Sequence, residues 1–281
     1  MEFPANVKWV QLQAVSDADT ESGLPPDTGY EEPETVCKRM LRGIKGIIFD
    51  FDGTLFDNAY IAIRMIAACP IDILLVRGER LVRSRFAGQD FSSPEIYHRE
   101  FFNELGKVCL SSPKRMRSWY FDRYMPRMIR VLKKHFKPRQ GITELLRRVQ
   151  SQESSLQIAI YSDYPFLKER MTSLGLFPSE KILLYGPDSF GAQKPAVRPF
   201  LQIAGDLRLP PGEILVIGDR EETDGLGAFN AGMHFFCLET GNKRYYRLDP
   251  NRRRPEEESH GPTLLMYAGE WDELIRLLLE R

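Results

Sequence analysis

The chain lacks the features that would direct it into or across a membrane. Its first residues, Met1 to Pro4, include neither a basic segment nor an apolar one, which predicts that there is no signal peptide. No stretch approaches about 18 uncharged apolar residues, the length that a membrane-spanning helix needs. Lysine plus arginine and aspartate plus glutamate number 39 each, so the formal net charge is zero. We therefore expect neither a membrane nor a nucleic-acid partner.

Cysteine is also scarce and is not arranged for metal binding or cross-linking. Cys37, Cys69, Cys109 and Cys237 lie far apart and form no Cys-x-x-Cys pair. This spacing favours neither a zinc site nor a disulfide framework, and it is typical of free thiols in a reducing compartment. With 42% hydrophobic and 28% charged residues, the composition is that of a folded globular protein. We expect a cytoplasmic protein, whose oligomeric state the sequence does not predict.

The most informative segment is an apolar run that ends in two aspartates. Ile47 to Phe49 predicts a strand buried on both faces, and Asp50 and Asp52 follow it before a glycine. Alternation along a strand places residues i and i+2 on the same side, where two anions repel unless a cation or a shared proton relieves them. This favours a metal-assisted site. The alternatives are a turn that caps a helix and a calcium loop, although Ile61 stands where that loop needs glutamate.

Alternating strands and helices follow from about residue 156 onwards. Strands are predicted at 156–161, 181–185, 213–217 and 234–238, and helices at 164–174, 197–205 and 223–231. This alternation predicts an α/β fold, a doubly wound (Rossmann-like) parallel sheet with helices on both faces. The strand before Asp50 belongs to the same sheet. The mostly helical stretch after it is therefore expected to be an inserted α-helical cap.

The expected domains follow from this order. Residues 1–43 form an N-terminal extension, acidic and partly flexible. Residues 44–58 and 138–281 form the core, and residues 59–137 form the cap. A helix is predicted over 55–68, across the boundary between the two. A charged loop is expected over 241–262 and an amphipathic helix near the end of the chain.

Further polar residues follow the other predicted strands. Ser162 ends one strand, Gly218 and Asp219 end another, Asp224 comes five residues later, and Lys194 precedes a helix. Taken singly, each has an ordinary explanation as a helix cap, a turn or a surface lysine. Ligands of doubly wound sheets, however, bind at the carboxyl ends of the strands. Four carboxylates beside one lysine leave excess negative charge, which suits a divalent cation with oxygen ligands, Mg²⁺.

In these segments the chain resembles the haloacid dehalogenase-like (HAD) hydrolase superfamily, in the phosphoglycolate phosphatase-like subgroup whose cap follows the first motif. The matching segments are Asp50-Phe51-Asp52-Gly53-Thr54-Leu55, Ile158 to Ser162, Lys194-Pro195, and Gly218 to Asp224. The resemblance covers residues 44 to 240. It implies a Mg²⁺-dependent phosphatase that acts on a small phosphorylated metabolite through an aspartyl-phosphate.

The resemblance also assigns roles to these residues. Asp50 is expected to be the nucleophile and Asp52 the general acid and base. The carboxylates of Asp50 and Asp219, the backbone carbonyl of Asp52, and Asp224, directly or through water, are expected to hold Mg²⁺. The Ser162 side chain and the backbone N–H groups of Gly53, Thr54 and Asp163 are expected to bind phosphoryl oxygens. Lys194 is expected to stabilise the transition state.

Two residues decide between neighbouring activities. The dehalogenating branch lacks an acid at the position of Asp52, because a halide leaves without a proton, whereas an alcohol needs one. Asp163 stands where a neutral residue is expected, so its side chain should point away from a bound phosphate. A phosphomutase and a non-catalytic binding protein of the same fold stay open as alternatives. Cap arginines at 77, 80, 83 and 85 are equally candidates for substrate contact and for surface charge.

Overall fold

The computed structural model describes residues 7–11, 41–238 and 264–280. In these residues seven strands form one parallel sheet, in the spatial order β1-β7-β6-β5-β2-β3-β4. The strands are β1 (Val7–Gln11), β2 (Gly46–Asp50), β3 (Gln157–Tyr161), β4 (Ile182–Tyr185), β5 (Ile214–Gly218), β6 (His234–Leu238) and β7 (Leu264–Gly269).

Strand β2 lies between β5 and β3, and apolar side chains cover it on both faces. Ile47 and Phe49 are fully buried in one hydrophobic cluster, while Ile48 between them belongs to a second cluster on the opposite face. Alternate side chains of a strand point to opposite faces, so a continuous apolar run needs a layer of helices on each side. The predicted doubly wound α/β fold is confirmed.

The helices follow the strands in the expected alternation. They are α1 (Ile61–Ala68), α2 (Ile73–Phe86), α3 (Pro94–Val108), α4 (Pro113–Ser118), α5 (Met125–His135), α6 (Ile142–Gln150), α7 (Leu167–Ser173), α8 (Pro187–Phe190), α9 (Val197–Leu207), α10 (Leu226–Asn230) and α11 (Trp271–Leu279). Helices α1 to α5 stand between β2 and α6 in the chain and form the helical cap. The limits predicted for the domains stay predictions.

Several helices are shorter than predicted because the turns before them take their own conformation. Helix α1 begins at Ile61 instead of residue 55, since Asp57 accepts a hydrogen bond from the Ala59 N–H at 2.9 Å and Tyr60 has a φ of 66°. Helix α7 begins at Leu167, after Phe166 with a φ of 56°. A residue in the left-handed conformation cannot continue a right-handed helix, so each of these helices begins after that residue.

Two strands in the described part of the chain have no counterpart among the predicted elements. β1, from the predicted N-terminal extension, pairs in parallel with β7, and β7 pairs with β6. Short, isolated apolar segments give a weak periodic signal, and their pairing depends on a partner far away in the sequence. Most of the extension and the predicted loop at 241–262 lie outside the described residues.

The cap contacts the core beside Lys194 through backbone hydrogen bonds. The Gly88 N–H donates to the Lys194 carbonyl at 3.1 Å, the Gln193 N–H to the Gln89 carbonyl at 3.1 Å, and the Phe91 N–H to the Gly191 carbonyl at 3.0 Å. The Asp90 carboxylate accepts two bonds from Arg198, each at 2.7 Å. The cap loop between α2 and α3 therefore pairs along the loop that carries Lys194.

Candidate active site

Asp50 is the last residue of β2, and both of its carboxylate oxygens have partners. The side chain is buried, with 7% of the residue exposed. The Lys194 ammonium donates to Oδ1 at 2.5 Å, and the Thr54 hydroxyl donates to Oδ2 at 2.9 Å. Because both donors are buried with it, the carboxylate is held in one orientation at the carboxyl end of the central strand.

Lys194 joins two carboxylates from separate parts of the chain, Asp50 at the end of β2 and Asp224 in the helical turn after β5. Its Nζ also donates to Asp224 Oδ1 at 2.7 Å and to the Tyr161 carbonyl at 3.2 Å, and only 3% of the residue is exposed. Burial by itself would lower the pKa of Lys194, but Asp224 and Asp50 together hold it well above its usual value. Lys194 therefore keeps its charge at neutral pH.

The acidic groups carry more charge than Lys194 neutralises. Burial raises the pKa of Asp50 to about 7, with Lys194 opposing the shift and Asp224 and Asp52 adding to it. Burial likewise raises the pKa of Asp224, again against the effect of Lys194. Buried anions with insufficient compensation favour either a proton or a cation at the site.

The arrangement of oxygen atoms fits a small divalent cation. Carboxylate oxygens of Asp50, Asp219 and Asp224, all buried, lie within 4.8 Å of one another. Donors that are only carboxylate oxygens suit Mg²⁺ rather than zinc. A methyl group on Gly218 would overlap the Asp224 side chain, because its Cβ would lie 2.5 Å from Asp224 Cγ. Glycine at this position therefore leaves room for the Asp224 carboxylate.

The turn after β2 is held from outside the site by an arginine. Gly53 has a φ of 96°, which favours glycine, and a side chain there would meet the Asp219 carboxylate. Arg139 donates to the Gly53 carbonyl at 3.1 Å and to the Thr54 carbonyl at 3.0 Å. Because C=O and N–H point in opposite directions across a trans peptide, the bond to Gly53 turns the Thr54 N–H away from Arg139.

Asp52 faces a different set of partners from Asp50. The Ser162 hydroxyl donates to Asp52 Oδ2 at 3.1 Å, and Arg170 from α7 forms an ion pair with Oδ1. Arg170 also donates to the Ser162 Oγ at 2.9 Å, and this arginine is fully buried. The two aspartates therefore have separate environments, one beside a lysine and the other beside an arginine.

Asp163 takes part in the loop structure through both its side chain and its backbone. Its Oδ1 accepts the Lys194 backbone N–H at 3.1 Å, and its carbonyl accepts a bond from Arg83 of the cap at 2.6 Å. The carboxylate thus serves the Lys194 loop, which is compatible with the expectation that it points away from a bound phosphate.

The cap arginines differ in how far they are already engaged. Arg83 pairs with the buried Glu79, donates to the Tyr120 hydroxyl at 2.9 Å and lies 3.8 Å from the centre of the Tyr164 ring. Arg85 pairs with Glu104 at the surface. Arg83 therefore links cap and core, while Arg77 and Arg80 are exposed.

A groove of about 750 Å³ lies between cap and core near Phe166. None of the site residues predicted from the sequence lines it.

The structure adds three contributions that sequence reasoning missed: the Thr54 hydroxyl on Asp50, Arg139 on the turn, and Arg170 on Asp52. Thr54 was expected to act through its backbone only. Both arginines lie more than 80 residues from their partners. A single arginine in a charged chain carries no local signal of such a contact, so spacing alone could not identify them.

The fold and the site define a class, a parallel α/β hydrolase with paired aspartates at the end of its central strand. Residues 44–232, more than half of the chain, match the model of the haloacid dehalogenase-like hydrolase family. The chain belongs to this family, which confirms the resemblance drawn from its motifs.

Individual relatives cover most of the chain. N-acetylmuramic acid 6-phosphate phosphatase of Pseudomonas aeruginosa is 28% identical over 194 residues, 65% of this chain and 75% of the relative. A 2-haloacid dehalogenase from Pseudomonas syringae pv. Tomato is similar in structure, with 18% identity, a TM-score of 0.53 and coverage of 84% and 99%. The putative HAD-hydrolase YfnB from Bacillus subtilis, bound to magnesium, has 17% identity, a TM-score of 0.51 and coverage of 84% and 99%.

These likenesses to solved structures concern the fold alone, because a dehalogenase and a magnesium-bound hydrolase match about equally well. The choice of chemistry therefore depends on the residues of the site. Among the described residues, no helix has the length and apolar character needed to cross a membrane.

Proposed function

We propose that this hydrolase is a Mg²⁺-dependent phosphatase that cleaves a small phosphorylated metabolite through an aspartyl-phosphate on Asp50. The observation that carries the proposal is the pairing of two differently placed acids: Asp50 against Lys194, and Asp52 against Ser162. The family match and the curated phosphatase relative support the enzyme class, a phosphoric monoester hydrolase.

In the first step, an Asp50 oxygen attacks phosphorus and the bond to the leaving alcohol breaks. Asp52 gives its proton to the leaving oxygen. In the second step, water attacks the same phosphorus, Asp52 takes a proton from that water, and the bond to Asp50 breaks to release phosphate. Asp52 thereby recovers the proton it lost, and the cycle balances.

The remaining residues bind and orient the phosphoryl group. The Ser162 hydroxyl and the N–H groups of Gly53, Thr54 and Asp163 hold its oxygens, and Lys194 supplies positive charge in the transition state. Asp50, Asp52, Asp219 and Asp224 are the residues that would hold Mg²⁺. Bound there, the ion would reduce the repulsion between the Asp50 carboxylate and the anionic phosphate.

The leaving group is proposed to be an alcohol rather than a halide. A halide leaves without a proton, so a dehalogenase has no use for an acid at position 52. Asp52 lies beside Ser162, a phosphate-binding residue in this proposal, and can reach the same bound group. The relative from Pseudomonas aeruginosa makes a sugar 6-phosphate the first substrate to test. Phosphoglycolate is the second, because the motifs resemble the phosphoglycolate phosphatase-like subgroup. A cytoplasmic location, in keeping with the free thiols of Cys69 and Cys109, completes the proposal.

The test is phosphate release from p-nitrophenyl phosphate and from a panel of sugar and organic-acid phosphates, with and without Mg²⁺. The unaltered protein should release phosphate only with the ion, and Asp50→Asn should abolish release while keeping the thermal melting temperature. Bis-phosphate formation without net phosphate release would identify a phosphomutase instead. No turnover of any compound would leave a non-catalytic binding protein as the better description.

A further inference from the structure

Arg170 is a fully buried cation whose role the proposed chemistry does not yet include. It lies on α7, and Asp52 is the carboxylate that pairs with it in the described part of the chain. Its guanidinium stands 4.6 Å from the centre of the Phe51 ring and 5.4 Å from that of Tyr164, and its Nε is buried with no hydrogen-bond partner. The group is thus enclosed by the two motif segments that carry Asp52 and Ser162.

Stability alone does not explain a charge at this place. Taking a guanidinium and a carboxylate out of water costs free energy that their attraction only partly returns, and well-packed apolar residues often serve a core as well or better. The Asp52 side chain is also 21% exposed, whereas Arg170 is 0% exposed. Arg170 therefore acts from behind the site, with Asp52 between it and any substrate.

The hydrogen-bond pattern at Ser162 shows what Arg170 can do. The Ser162 Oγ accepts from the Tyr164 N–H at 3.1 Å and from Arg170 at 2.9 Å, so both of its lone pairs are used and its one proton goes to Asp52 Oδ2. A phosphoryl oxygen that binds Ser162 must therefore accept the hydrogen bond that the hydroxyl now donates to Asp52 Oδ2. Asp52 then loses the serine bond and keeps only the bond from Arg170 to Oδ1.

We infer that Arg170 is a positioning residue. It holds Asp52 Oδ1 when a phosphoryl oxygen accepts the hydrogen bond from the Ser162 hydroxyl, and Oδ2 is then the oxygen that exchanges a proton with the leaving oxygen and with water. This inference rests on the proposed phosphatase function and deepens it. Arg170 touches neither substrate nor water in this role, because it is completely buried. Its effect on turnover passes through Asp52.

A double-mutant cycle tests this dependence. Arg170→Gln should lower kcat on an alkyl phosphate by about tenfold to a hundredfold when Asp52 is present, and by less than about threefold when Asp52 is already Asn, since residues that act as a unit are not additive. Arg170→Lys should recover part of the loss, because an ammonium keeps the charge but not the fork that reaches both partners. Lys168→Gln, an exposed charge on the same helix, is the matched control and should change little.

Failure of the inference can be told apart from failure of the proposed function. If the unaltered protein hydrolyses the phosphate and Arg170→Gln lowers kcat by the same factor in both backgrounds, Arg170 has only a structural role. If Arg170→Gln does not fold, Arg170→Lys takes its place in the same cycle. If the unaltered protein turns over nothing, the proposed function fails and the inference fails with it.

A second readout needs no turnover. In a crystal structure of Arg170→Gln with inorganic phosphate bound at Ser162, the Asp52 carboxylate should leave the position that it holds in the phosphate complex of the unaltered protein. An Asp52 that keeps the same position in both phosphate complexes would overturn the inference.

Discussion

Replacing Lys194 with methionine should destabilise the protein strongly when no divalent cation is present. The substitution keeps most of the side-chain volume but removes the donor to Asp50 at 2.5 Å and to Asp224 at 2.7 Å. Both carboxylates then stay buried without their cation. Removing one partner of a buried ion pair typically costs about 3–5 kcal/mol, because the remaining charge is left uncompensated.

The size of the effect can be expressed as a change in melting temperature. One kcal/mol shifts the melting temperature of a domain of 150–250 residues by about 2–4 °C, so a loss of about 3–5 kcal/mol corresponds to about 6–20 °C. An exposed pair offers the matched control, since Lys45 binds Glu213 at 2.9 Å with 61% of its side chain exposed. Lys45→Met should cost no more than about 1 kcal/mol.

The assay is thermal unfolding of the three proteins in chelator and in millimolar Mg²⁺. A cation that binds only the folded state stabilises it by about 2.7 kcal/mol at a hundred times its dissociation constant. Lys194→Met carries one more uncompensated negative charge at the site, so Mg²⁺ should raise its melting temperature more than that of the unaltered protein. Equal melting temperatures for Lys194→Met and Lys45→Met in chelator, or equal gains with Mg²⁺, would refute this account of the site.

Two further substitutions test contacts around the site and in the cap. Arg139→Met removes both hydrogen bonds to the carbonyls of the turn after β2. It should raise the inhibition constant of inorganic phosphate severalfold. A lower melting temperature with an unchanged inhibition constant would contradict this prediction. Asp72 is buried in the cap against Arg127 and Trp119; burial alone would raise the pKa of Asp72, but its hydrogen bonds with them lower it from 3.8. A lowered folded-state pKa gives stability that is fully present above the unfolded-state pKa, about 3.9 for aspartate, and that is lost as the pH falls through the folded-state pKa. The difference in unfolding free energy between the unaltered protein and Asp72→Asn should therefore be largest near neutral pH and should shrink below about pH 4. Urea titrations at several pH values would measure this difference, and a difference independent of pH would contradict the prediction.

The sequence was sufficient for the α/β class and for five of the seven described strands, because their signals are local. The apolar run at Ile47 to Phe49, the alternation of strands and helices, and the polar residues after each strand are all visible without knowing any contact. Since parallel strands end at one edge of a sheet, placing Asp50 and Asp219 on the same edge follows from the alternation alone. The residues at which helices begin, such as Ile61, were harder to predict, because single residues in the left-handed conformation determine them.

What the tertiary structure decided is the partner of each charged group. Sequence reasoning placed Asp50, Lys194 and Asp224 together. It did not predict that one ammonium joins both carboxylates, or that Asp52 forms a separate ion pair with Arg170. Arg170 and Arg139 reach their partners across loops that bring distant segments together, and only the packing of α7 and of the chain leaving the cap determines those distances. Residue order therefore determined which groups meet at the sheet edge, and three-dimensional packing determined which of them hold one another.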